Sequence, residues 1–365
     1  MKRRFAFIQY VVVPVFLTLF AFPALAQYTR TDLTTNAGTA ANPADPDLIN
    51  GWGLVQLGMS PLWISDNGTG KSTLYTGTGQ LLALVVTIPA AVSGQGTPTG
   101  IVGNISSHAS DFTISENGKS GKAIFIFAGL DGTISGWNPR VDGIGPTGAS
   151  HATLAVEPGV GSVNGVAPIY TGLAIGNMTD STGKQSFFLY AADDGPNRKI
   201  DMFDATFTLV KSFGDPAIPQ GFTPYGIQDV NGDIWVTYTA LNKAQGGFVD
   251  VFGTDGSLKK HFAVIGPLHS PWGIALAPAD FGPMSNAILI SNNTPRGRIN
   301  AFDPNTGAFL GPLRDASGKA IEIDDVWAIQ FGHDGGPNTS HNQLFFTAGP
   351  SNYANGLFGV ITAQQ

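Results

Sequence analysis

The chain repeats itself, and a repeat of this length and content leaves few folds open. A unit of about 55 residues opens on an aromatic-Gly-aliphatic step. It runs into an apolar strand ending in Asp or Asn, then closes with a second strand and a turn. The first copy reads Trp52-Gly53-Leu54, Leu62-Trp63-Ile64-Ser65-Asp66-Asn67 and Ser72-Thr73-Leu74-Tyr75. The third has Gly172-Leu173-Ala174, Phe187–Asp194 and Ile200-Asp201-Met202-Phe203. The fourth has Tyr225-Gly226-Ile227, Ile234–Tyr238 and Phe248–Phe252. The fifth has Trp272-Gly273-Ile274, Ile288–Asn293 and Gly297–Asp303, and the sixth Trp327-Ala328-Ile329, Leu344–Thr347 and Gly356–Val360. The second is the most divergent and is read as Asp111-Phe112-Thr113-Ile114, Ala123–Phe127 and Gly132–Trp137. Anchors at residues 53, 112, 172, 226, 273 and 328 are then 59, 60, 54, 47 and 55 residues apart.

A further apolar piece follows the last turn of several units, as in Leu81–Ile88, Ala152–Val156, Leu209–Phe213 and Leu258–Phe262. Six units of four short strands predict an all-β, six-bladed β-propeller with four-stranded antiparallel blades. A β-sandwich uses about seven strands in all. The sixth unit has only three strands, whereas Tyr28–Thr34 alternates like a strand ahead of the first unit. That N-terminal strand is expected to complete the last blade and close the ring, leaving no open edge. Forty-eight Gly, 24 Pro and 12% charged residues fit a turn-rich, tightly packed all-β chain. They argue against a helical bundle.

Residues 1–26 read as a signal peptide. Lys2, Arg3 and Arg4 precede an apolar core and an Ala24-Leu25-Ala26 cleavage pattern. The core is shorter than the ~20 apolar residues that span a bilayer. The expectation is an exported protein, periplasmic or extracellular, with one domain over 27–365, monomeric and not inserted in a membrane. Losing the three leader cations leaves 16 basic against 26 acidic residues, a balance of −10. That excess argues against a nucleic-acid partner and against anionic lipid. There is no Cys, which excludes a disulfide scaffold and a thiol nucleophile.

Gly297-Arg298-Ile299-Asn300-Ala301-Phe302-Asp303-Pro304-Asn305-Thr306-Gly307 looks like an NHL-type propeller repeat. With Asn50-Gly51-Trp52-Gly53 and the Ile64–Gly70 turn, residues 27–365 are similar to a family of uncharacterised secreted bacterial proteins. The resemblance implies a six-bladed propeller and brings no single activity. NHL-like relatives include scaffolds, peptide-binding modules and metal-dependent lyases and lactonases.

In a propeller blade, the loop entering the innermost strand and the loop joining strands two and three emerge on one face. That channel face is expected to gather Asn50, Asp66, Asn67, Asp193, Asp194, Tyr225, His269, Trp272, Asn292, Asn293, Asp324, Asp325 and Trp327. Singly, the Asp and Asn pairs are ordinary turn residues, and an aromatic before Gly is ordinary packing between blades. Together they make an acidic, amide-rich mouth suited to a hard cation or a hydroxyl-rich ligand. His108 and His269 are each placed before an innermost strand, with no third histidine to complete a zinc set. Gly70-Lys71-Ser72 lacks both the first Gly and the following helix of a phosphate loop. Asp229–Asp233 reads as a hairpin turn rather than a calcium loop.

The function expected is therefore a binding or scaffold module working through its channel face on a small-molecule, glycan or protein ligand. The alternative is a lactonase or related hydrolase using a calcium-like divalent cation as Lewis acid. No other cofactor is evident.

Overall fold

The computed structural model describes residues 27–241 and 246–364. The expected leader, 1–26, lies outside them. Six antiparallel sheets of four blade strands each form a six-bladed propeller. The innermost strands are Gly51–Gln56, Pro98–Gly103, Tyr170–Thr179, Phe222–Val230, Pro271–Leu276 and Val326–Phe331, which number blades 1 to 6. Blade 6 takes its outermost strand from the start of the described chain. Tyr28–Thr35 pairs antiparallel with Leu357–Ala363, so the ring closes as expected. Tyr28 reinforces the closure by donating its hydroxyl to Phe281 O at 2.8 Å.

One correction concerns blade 2. Its innermost strand is Pro98–Gly103, carrying Thr99-Gly100-Ile101, and not the segment around Phe112. Residues 111–114 enter an inserted hairpin, Thr113–Glu116 with Lys119–Lys122, between the first and second blade strands. His108 lies in the same insertion, 3.1 Å from Asp111, and so does not precede an innermost strand. Moving that anchor to Gly100 changes the first two steps to 47 and 72 residues. The surplus in the second step is this insertion together with Ala149–His151, which joins the outer strand of blade 1 in parallel.

The repeated step has a common physical cause. All six innermost strands break register where it occurs, so two residues of the inner strand oppose one of its neighbour. Such a bulge bends the strand and brings its backbone against the next blade. A Cβ on Gly226 would lie 1.9 Å from Trp272 O, and one on Gly100 2.2 Å from Leu173 N. The aliphatic residue after the step (Leu54, Ile101, Leu173, Ile227, Ile274 or Ile329) lines the axis. Hydroxyls stitch neighbouring blades across it. Thr99 donates to Tyr170 O, Thr171 to Tyr225 O, Thr237 to Trp272 O, Ser291 to Trp327 O and Thr347 to Trp52 O, over 2.6–3.5 Å.

Candidate functional site

The first residue of each step, before Gly or, in blade 6, before Ala328, faces one end of the axis. In four blades it is aromatic: Trp52, Tyr225, Trp272 and Trp327. These rings converge. Trp52 stacks on Trp327 with centroids 3.6 Å apart and planes 18° from parallel. Trp272 meets Trp327 edge-on at 6.0 Å, and Tyr225 leans on it at 5.7 Å. Tyr353, from the loop joining strands two and three of blade 6, covers the group at 5.5 Å from Trp327. Its loop holds Ser351, Asn352 and Tyr353 at successive φ values of 61°, 56° and 67°. Non-glycine residues adopt that left-handed region only at a cost.

Amides organise the polar ends of this plug. Trp327 Nε1 donates to Asn50 Oδ1 at 2.8 Å, Asn50 Nδ2 to Asn67 Oδ1 at 3.2 Å, and Asn67 Nδ2 to Pro98 O at 3.1 Å. Tyr353 and Tyr225 donate to Asn293 Oδ1 at 2.9 and 3.4 Å. Trp272 Nε1 reaches Thr171 O at 3.0 Å. Burial, then the neighbouring Tyr353, Asp194 and Asp325, keep the Tyr225 phenol well above its ordinary pKa. Tyr353 is pushed up to about 12, first by burial and then by Asp325. Both hydroxyls therefore stay protonated donors at neutral pH. Beneath the plug, the axial cavity between the inner strands is about 20 Å³. That is room for about one water molecule.

Of the residues expected at the mouth, Asn50, Asn67, Tyr225, Trp272, Asn293 and Trp327 share this network. Asp194 and Asp325 neighbour its tyrosines, and the rest engage elsewhere. Asp66 is fully buried inside blade 1, accepting from Thr73 Oγ1 at 2.7 Å with its second oxygen unpartnered. Burial above all holds it well above the usual carboxylate range. Asp193 is raised by burial and accepts from Ile169 N and Gly195 N at 2.8 and 2.9 Å, which closes its own loop. Asp194 accepts from Thr223 Oγ1, and burial pushes it up to about 6. Asn292 braces Pro267 O at 2.8 Å and receives His269 N at 3.2 Å. Asp324 caps Arg296 N at 2.8 Å. Asp325 is buried at φ 49°, its backbone bonding to Thr294 O and Gly349 N, both at 3.0 Å. Among the described residues, two groups of three side chains could hold a metal, Glu116–Asp142–His151 and Asp215–Asp250–His261. Neither includes a residue of the mouth.

Two members of the plug were absent from the expected site. Trp52 was visible as the first copy of the repeated step and belongs with Trp272 and Trp327 on that ground. Tyr353 had no such signal, since it sits in a Gly/Pro/Ser/Asn loop outside the repeating positions.

No family model matches the chain. It is 29% identical over 357 residues to Uncharacterized protein L690 of Acanthamoeba polyphaga mimivirus, covering 94% of this chain and 87% of that one. Uncharacterized protein R648 of the same virus is 29% identical over 348 residues, covering 91% and 80%. Among solved structures the chain is similar to a protein of unknown function from Bacteroides thetaiotaomicron VPI-5482. The TM-score is 0.53 at 11% identity, covering 92% of this chain and 76% of that one. A streptogramin B lyase aligns with a TM-score of 0.51 at 12% identity, covering 94% and 100%. At these identities the likeness to the solved structures is one of fold alone.

Proposed function

We propose that this protein is an exported propeller that works as a binding module, engaging a hydroxyl-rich ligand of the glycan class across its plugged face. The observation that carries this reading is the filled axis. Trp52, Trp272 and Trp327 occupy the place where an axial substrate pocket would lie, and only about 20 Å³ remains below them. Recognition then falls to the surface around the plug. Tyr353, Thr294, Ser351 and Asn352 offer an amide, hydroxyls and an aromatic ring there, all at least partly exposed. Amides and hydroxyls match sugar hydroxyls as both donors and acceptors, and an aromatic ring offers an apolar face to a sugar ring.

The hydrolase reading asks for several oxygen ligands free to converge on one cation. At this mouth Asn50 and Asn67 are bonded to one another, while Asp66 and Asp193 are turned into their own blades.

The test is binding to an array of oligosaccharides, compared between wild type and Ala354→Arg. That substitution sets a long cation at an exposed position of the plug loop. Ser181→Arg, at an exposed hairpin tip on the opposite face, is the control. Saturable binding lost in Ala354→Arg and kept in Ser181→Arg is expected. Absence of any glycan binding, or binding indifferent to Ala354→Arg, overturns the proposal.

A further inference from the structure

The third strand of each blade provides an internal comparison. Blade 3 runs Ile200-Asp201-Met202-Phe203 and blade 4 runs Val249-Asp250-Val251-Phe252, with both aspartates buried. The register agrees as well, Asp201 lying opposite Ser212 and Asp250 opposite His261 on the outer strands. In blade 3 the buried charge is answered in full. Lys199 Nζ lies 2.9 Å from Asp201 Oδ1, Ser212 donates to that oxygen at 2.5 Å, and Tyr170 donates to Oδ2 at 2.9 Å.

Blade 4 has no lysine at that place. Phe248 stands where Lys199 stands in blade 3. A second carboxylate arrives instead. Asp215, in the linker between blades 3 and 4, is 3% exposed at its side chain. One of its oxygens receives Ala217 N at 2.9 Å, while Oδ2 is buried without a hydrogen-bond partner. Asp250 Oδ2 is likewise buried, with only the Tyr238 hydroxyl beside it as a partner. Arg198 is near, but its guanidinium is committed to the carbonyls of Ile218, Pro219 and Phe222. His261 Nδ1 sits 3.0 Å from Asp250 Oδ1 and 3.4 Å from Asp215 Oδ2. Its ring is 53% exposed and opens the cluster to solvent.

Two buried carboxylates with unanswered oxygens are costly unless a positive charge stands between them. The spacing suits a metal ion. Ligand bonds of about 2.0–2.2 Å in a tetrahedral shell place neighbouring donors about 3.3–3.6 Å apart, and the candidate ligand atoms all lie within 4.8 Å of one another. An imidazole nitrogen with carboxylate oxygens favours zinc over calcium, which takes oxygen ligands. The Glu116–Asp142–His151 cluster is weaker on the same criteria. Asp142 already receives Asn138 N and Thr153 Oγ1, and none of the three has an unpartnered buried atom.

We propose that Asp215, Asp250 and His261, with Tyr238 at their edge, form a zinc-class divalent cation site that clasps the linker from blade 3 onto blade 4. The ion would replace the proton shared between His261 and Asp250 and engage the buried oxygens of both carboxylates, Asp215 Oδ2 above all. The site shares no residue with the plug.

The experiment uses the folded protein stripped with a chelator and titrated calorimetrically with zinc chloride, then with calcium chloride. One equivalent of zinc is expected to bind with submicromolar affinity and raise the melting temperature, with calcium at least 100-fold weaker. His261→Ala changes a largely exposed side chain and so preserves the fold. Both it and Asp215→Asn should weaken zinc binding at least 100-fold, while His151→Ala leaves it unchanged. No zinc binding at micromolar concentration, zinc binding indifferent to both variants, or a preference for calcium overturns the proposal.

Discussion

Replacing Trp327 with Ala tests the plug most directly. The ring is buried, stacks on Trp52 at 3.6 Å, meets Tyr225, Trp272 and Tyr353, and donates to Asn50 at 2.8 Å. Truncation removes about 140 Å³ of side chain, which at about 24 cal/mol per Å³ of residual cavity gives about 3 kcal/mol if nothing relaxes. Losing the indole donor leaves Asn50 Oδ1 unsatisfied, at a cost of about 1–2 kcal/mol. The sum, about 4–5 kcal/mol, lies at the upper end of what Trp-to-Ala changes cost in cores. Urea unfolding followed by far-ultraviolet circular dichroism measures the loss without relying on the deleted fluorophore. Trp327→Phe keeps most of the ring and should lose only about 1–2 kcal/mol, chiefly through the missing donor. The cavity also makes a positive prediction. Millimolar indole should raise the melting temperature of Trp327→Ala and leave wild type unmoved, as expected for a ligand that binds only the folded, opened variant. A loss below about 1 kcal/mol, or a full loss with no rescue by indole, refutes the packed-plug account.

Two further outcomes follow from the geometry. Gly226→Ala places a methyl group 1.9 Å from Trp272 O. Because the obstacle is backbone of the next blade, it should cost more than about 2 kcal/mol in urea unfolding; a neutral result would mean the blades are not in close contact there. For Asp194, burial raises the folded pKa to about 6 from 3.8. Its contribution to stability is therefore fully present below about pH 4 and lost as pH rises through about 6. Asp194→Asn keeps an acceptor for Thr223 and should be more stable than wild type at pH 7, by up to about 3 kcal/mol. The advantage should vanish at pH 4. Equal stabilities at both pH values would refute it.

How much of this was legible in the sequence depended on whether a residue type had one physical use or several. Gly in the repeated step has one, the close approach of neighbouring blades, so the ring could be read directly, and the three-stranded sixth unit with the alternation of Tyr28–Thr34 gave its closure. Blade 2 was misplaced because Phe112 offered an aromatic residue at nearly the right spacing, whereas the real step, Thr99-Gly100-Ile101, has none. Thr171-Gly172-Leu173 in blade 3 has the same pattern, so the evidence for a threonine in that position was present. There the threonine supplies the hydroxyl that strand two supplies in blades 4 to 6. Asp and Asn at strand ends resisted reading for the opposite reason. They cap turns, bond backbone or face a ligand with equal chemical ease, and only coordinates separate Asn67 at the mouth from Asp193 in its own loop.

Repeats offer a way past that ambiguity, since each blade acts as a control for the others. A departure from the common pattern that has a packing cause needs no functional reading. Ala328 stands where five blades have Gly, and the junction there is still closed by Thr347 donating to Trp52 O. The change from Lys199 in blade 3 to Phe248 in blade 4 is different, because the buried aspartate it answered is retained and a second carboxylate is added. Packing gains nothing from a second buried charge. A position where a repeat exchanges a lysine for a metal-ligating histidine and a second buried carboxylate is thus a stronger pointer to a bound cation than an acidic cluster at a loop end. By that criterion the blade 3–blade 4 junction, rather than the mouth residues where carboxylates first drew attention, is where metal chemistry belongs in this molecule.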